Sequence, residues 1–213
     1  ELQTIPDINM DIIDAYIETY EYVMETKDMP DEQTHSSIAP MIANPSAAAS
    51  YIEKYYLNYN SQYPDWTSYG GDCANFVSQV LKSGGKSMIG TPGTDSAAQN
   101  ISNWFSKGST CNTKNVSSSW RGANAFKNHW SSRVSYKTYK SNPYSANGNA
   151  STGDAVSLLN SNGAAIHTMV VYKVGYVGST LEIVLAAHTG STKSALFSSK
   201  YNQFGGGARI FRM

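Results

Sequence analysis

The stretch YPDWTSYGGDCANFVSQVLKSGG, residues 63–85, holds the most sharply bounded element of the chain. Asp72 stands where a carboxylate can cap free backbone N–H groups. Phe76, Val77, Val80 and Leu81 share one face at three- and four-residue steps, and Gly84-Gly85 supplies the stop. The spacing predicts a helix that starts at Asp72 and carries Cys73 in its first turn. Unpaired N–H groups and the helix dipole favour an anion there, so the expectation is a thiol drawn towards thiolate. Position alone equally allows a buried structural cysteine, or one half of a bridge to Cys111, since the chain has two cysteines.

Upstream, Asn44-Pro45 reads as a cap and first helical residue. Ala48, Tyr51, Ile52, Tyr55, Tyr56 and Tyr59 then give a helical face expected to end near Tyr63-Pro64. Farther back, Ile8, Ile12, Ile13, Tyr16, Ile17, Tyr20, Val23 and Met24 line a helix running to about Lys27, and a polar connector covers 28–44. The expected organisation is an acidic helix and connector, 1–43, followed by a main domain, 44–213. Downstream, residues 86–152 read as loops with one helix from Trp120 to Trp130. The period then changes to two, with strands expected at Val134 to Thr138, Asp154 to Leu159, Ile166 to Val174, Thr180 to His188 and Ala208 to Met213. Helices first and strands second predict an α+β fold with an antiparallel sheet.

A turn centred between Val177 and Gly178 would set Lys173 opposite Glu182, Val171 opposite Val184 and His167 opposite His188. That register places two of the four histidines on one sheet face.

Only 15% of the 213 residues are charged and 12% are aromatic, a composition that suits an exported, extracellular or cell-surface protein. Residues 1–32 hold ten acids and one base, net −9, and the remainder carries +9. The positive part favours anionic surfaces such as wall polymers. With no Lys/Arg-rich run, helix-turn-helix or RNP-like motif, nucleic acid is not an expected partner. No run of apolar residues is long enough for a membrane span, and no targeting segment is read at Glu1.

A thiol nucleophile needs a base within hydrogen-bond reach and a third group to orient that base. His167 and His188 offer both roles, while His35 and His129 read as structural. A zinc site from Cys73, His167 and His188 is the rival, but no CxxC, HxxxH or HExxH spacing occurs, so no metal or cofactor is expected. The oxyanion would take the Cys73 backbone N–H and one side-chain donor, with Tyr69 and Gln79 as candidates.

The run Gly71-Asp72-Cys73-Ala74-Asn75-Phe76-Val77-Ser78-Gln79, with Gly153-Asp154 opening a strand, His167 in Ile-His-Thr-Met-Val-Val and Ala187-His188-Thr189, resembles the amidase_6 domain family of Gram-positive bacteria. The resemblance covers about residues 44–213. It implies a papain-like thiol fold related to NlpC/P60 cell-wall peptidases. Cys73 matches the nucleophile, His167 the base and His188 the polar third member. Asp72 and Asn75 match motif positions without an agreed catalytic role, and Ala74 departs from the usual Thr or Ser. The implied activity is thiol-dependent hydrolysis of a peptide or amide link in bacterial wall material. The alternatives are an acyltransferase using the same site, or an inactive wall-binding module. The acidic first helix is either a packed tail or a segment covering the cleft.

Overall fold

The computed structural model describes residues 34–35 and 42–213, and the expected acidic helix of the first 27 residues lies outside them. Seven strands form one antiparallel sheet: β1 (Thr34–His35), β2 (Tyr136–Tyr139), β3 (Ala155–Leu159), β4 (Ala165–Val177), β5 (Thr180–Ala187), β6 (Thr192–Leu196) and β7 (Ala208–Phe211). Their order is β1-β2-β7-β3-β4-β5-β6. The helices are α1 (Pro45–Tyr55), α2 (Cys73–Ser83), α3 (Asp95–Gln99), α4 (Ser118–Arg121), α5 (Ala123–Ser131) and α6 (Phe197–Phe204). The fold is α+β, as the sequence predicts.

Alternation along the strands feeds two cores. Ala155, Val170, Ala186 and Phe211 point to the face covered by α1, α2, α4 and α5, where they meet Ile52, Phe76, Val77, Trp120 and Phe126. Val156, Leu158, Met169, Val171 and Leu185 point to the other face, closed by Phe197 and Tyr201 of α6. The sheet is therefore a middle layer between helices.

Four expectations need correction. First, α1 stops at Tyr55, not near Tyr63, because the Tyr55 carbonyl faces the His188 ring instead of continuing the helical ladder. Second, the helix from Trp120 to Trp130 is two helices broken at Gly122, whose backbone is extended (φ −108°, ψ 129°). Third, β6 and α6 were not anticipated, since the Ser/Thr-rich run 191–196 shows no clear alternation. Fourth, the β4–β5 turn is Gly178-Ser179, with Val177 opposite Thr180 and Gly178 at φ +61°. The register slips again at Tyr172. Lys173 thus faces Val184, Glu182 faces Gly175 and Val171 faces Leu185. An odd shift in pairing moves a residue's partner to the opposite sheet face, so the histidines do not share one.

Buried titratable groups set the acid behaviour of this fold. Burial lowers His129 and His167 to about 4 and raises Asp154 to about 6. Between the ordinary histidine value near 6.5 and about 4, the unfolded chain binds two protons that the folded histidines refuse, so stability falls with pH. Asp154 works the other way between about 4 and 6, because its folded form holds a proton the unfolded form releases. One group offsets one of two. Denaturant titrations are expected to lose about 3 kcal/mol from pH 6.5 to pH 4; a flat profile would mean that the two imidazoles are hydrated.

Candidate active site

Gly70 (φ +96°) and Gly71 (φ +123°) turn the chain into α2, and the Asp72 N–H then donates to Thr189 Oγ1 at 3.3 Å. Cys73, the first residue of α2, is 9% exposed. Its sulfur faces the backbone N–H groups of Thr168, Ala74 and Cys73 itself. These favour the thiolate, but burial outweighs them and pushes the thiol up. The helix start is there as expected; removal from water reverses its effect on the thiol.

Asp72 does not cap α2 with its side chain. Its Oδ1 accepts from the Trp66 N–H (2.9 Å) and Asn75 Nδ2 (2.7 Å), and its Oδ2 meets His188 Nδ1 at 2.5 Å. Both side chains of that pair are 1% exposed. His188 Nε2 lies 2.6 Å from the Tyr55 carbonyl, which can only accept. Each ring nitrogen of His188 thus faces an oxygen acceptor, the Asp72 carboxylate on one side and the Tyr55 carbonyl on the other. Phe76 stacks on the ring (centroids 4.1 Å, interplanar angle 23°), and Tyr59 lies on it at 4.5 Å. Beyond the pair Val170 and Ala186, the next positions on the α2 side of β4 and after β5 are Thr168 and His188. Cys73 is seated against the first of them and Asp72 against the second.

His167 is elsewhere. It pairs with Leu158, and both point to the core on the α6 side, where the imidazole stacks on Phe204 at 5.7 Å. This corrects its expected place as the base for Cys73, because the sheet lies between them. The zinc rival fails on the same geometry, since ligands on opposite faces cannot share one ion.

The side-chain oxyanion candidates also fall away. Asn75 spends both amide hydrogens, on the Pro64 carbonyl (2.8 Å) and Asp72, and its Oδ1 accepts from Trp120 Nε1 (2.9 Å). Gln79 accepts from Tyr51 Oη at 2.7 Å and sits six residues along α2, about 9 Å up the axis from Cys73. Tyr69 is 47% exposed, its ring edge against Trp66. The helix-start N–H groups at Cys73 and Ala74 and the Thr168 N–H are the donors that reach the sulfur.

The motif DCANFVSQ is thus a wiring scheme: Asn75 orients Asp72, Phe76 supports His188, Ser78 donates to the Trp120 carbonyl (2.9 Å), and Gln79 ties α2 to Tyr51. Asn75→Ala would strip one donor from Asp72 and orphan Pro64 O and Trp120 Nε1. An expected cost of about 2–4 kcal/mol in urea unfolding follows; a loss under 1 kcal/mol would show the network to be dispensable. Both cysteines are free, and Cys111 Sγ lies 3.0 Å from the Asp65 carbonyl. The sequence reading missed the Asp72–His188 pair, the Tyr55 carbonyl and Thr168. The motif aspartate and the strand-end histidine were both visible, but their register was not.

Among the described residues no helix is long and apolar enough to cross a membrane. A family model described as "Putative amidase domain" matches residues 42–205. No curated protein and no solved structure matches the chain.

Proposed function

Because the chain belongs to the amidase_6 family, a hydrolase family for C–N bonds with peptide or amide substrates, we propose that it cleaves an amide with Cys73 as nucleophile and His188 as acid–base partner. The observation that carries the reading is the Asp72–His188 contact at 2.5 Å, one residue before the cysteine that opens α2. Asp72 fixes Nδ1 and leaves Nε2 as the working nitrogen once it swings from the Tyr55 carbonyl.

With Nδ1–H held by Asp72, His188 Nε2 takes the thiol proton as sulfur attacks the carbonyl carbon. The same proton passes to the leaving amine, the C–N bond breaks, and an acyl group remains on Cys73. Water, deprotonated by Nε2, releases the acid and restores the thiol. The N–H groups of Cys73 and Ala74 supply donors for the oxyanion.

A helix-borne cysteine over an antiparallel sheet supports a papain-like, NlpC/P60-related lineage, with the base drawn from His188 rather than His167. The +9 charge of residues 33–213 supports a substrate attached to anionic wall polymers outside the cell. The test is release of new amino groups from purified Gram-positive peptidoglycan, with and without iodoacetamide. Labelling of Cys73 should extinguish release; release that survives complete labelling would end the assignment. Without substrate, the raised thiol makes alkylation climb roughly tenfold per pH unit from pH 7 to 9. A plateau reached by pH 6 would instead reveal a preformed thiolate.

A further inference from the structure

His188 stands one residue past the end of β5, yet its side chain is 1% exposed. Besides Asp72, Phe76 and the Tyr55 carbonyl, the ring is covered by Tyr59, from the segment that follows α1. That segment is thinly held. Leu57 is 57% and Tyr59 40% exposed, and among the described residues the backbone of Leu57, Asn58 and Tyr59 forms no hydrogen bond. Its two ends are anchored, through the Tyr56 N–H to the Ile52 carbonyl (2.9 Å) and through Asn60 Nδ2 to Tyr51 Oη (2.9 Å). Between these anchors, Tyr59 Oη bonds to Thr67 Oγ1 at 2.7 Å. Thr67 opens the 3-10 turn Thr67–Tyr69, which leads through Gly70 and Gly71 into Asp72 and α2.

We propose that residues 57–59 are a latched cover over His188, with the Tyr59–Thr67 hydroxyl pair as the latch, and that substrate binds the form in which the cover has lifted. The inference rests on His188 as the acid–base partner, and it identifies what restrains that residue at rest. Nε2 must part from the Tyr55 carbonyl to take a proton, and the ring has no room to turn while Tyr59 lies against it. The other side chains on the ring are fixed. Asp72 is tied to Trp66 and Asn75 in the interior, and Phe76 is a fully buried residue of α2. Tyr59 is the exposed one, on a stretch with few contacts, which is where local opening costs least. Removing one hydroxyl–hydroxyl bond should raise the open population about 2–10-fold. A substrate that takes only the open form then shows a KM lower by the same factor.

The test is carbethoxylation of His188 by diethyl pyrocarbonate in the full chain, followed without substrate by peptide mass mapping. Thr67→Val and Tyr59→Phe remove the latch from either side and keep both shapes. Each should speed modification of His188 about 2–10-fold, and the double variant should be no faster than either, because one bond is lost in all three. Buried His129 should react at one rate throughout. Hydrolysis of peptidoglycan by each variant should show KM lowered by the same factor at unchanged kcat. An unchanged His188 rate in both single variants would overturn the proposal. So would a matching rise at His129, which marks general loosening, or faster modification of His188 with KM unchanged or raised. The modification rate is read without turnover, so its outcome is separate from that of the iodoacetamide test of Cys73.

Discussion

Asp72→Ala is expected to lower unfolding free energy by about 3–5 kcal/mol. The change leaves His188 with its Nδ1 unpaired at 1% exposure, and it orphans the Trp66 N–H and one Asn75 hydrogen together. Asp72→Asn separates charge from shape. It keeps an acceptor for Trp66 but removes the anion, so the fold should survive better than with alanine while amide hydrolysis still falls by at least ~10²-fold. Denaturant titration reads the first effect and peptidoglycan cleavage the second. Hydrolysis undiminished in a folded Asp72→Asn chain would mean that the carboxylate serves packing alone.

The second large effect separates the two strand histidines. His188→Ala should reduce hydrolysis by ~10³-fold or more, because the imidazole that Asp72 holds is lost. His167→Leu should leave hydrolysis within about threefold, since its ring sits on Phe204 across the sheet from the sulfur. His167→Leu should also remove part of the acid sensitivity described above, which marks His167 as a packing residue. The reverse order of the two activity losses would restore His167 as the base.

The α2 boundaries were legible because cap position, apolar spacing and glycine stop agree on the same eleven residues, Cys73–Ser83. The sheet was legible as a set of strands, because alternation is local. Its registers were not, because one turn residue and one bulge decide them. The bulge at Tyr172 alone reverses which face each later residue presents. The attraction of Lys173 for Glu182 pointed to a pairing that core alternation overrides, since Ile183 and Leu185 must reach the α6 core. Cys73 could be singled out from its place at a helix start. Its burial could not, because it depends on the packing of β4 and the loop after β5 against α2. Asp72 was read as a cap, the commonest role for an aspartate there. Only the fold brings His188, 116 residues away, to its other oxygen.

A covalent acyl group on Cys73 should be trapped when enzyme is acid-quenched during peptidoglycan hydrolysis and its peptides are mapped by mass. The expected result is an added acyl mass on the peptide that holds Cys73, none on the peptide that holds Cys111, and loss of both adduct and turnover in Cys73→Ala. Amine release at an unchanged rate from the Cys73→Ala chain would contradict it.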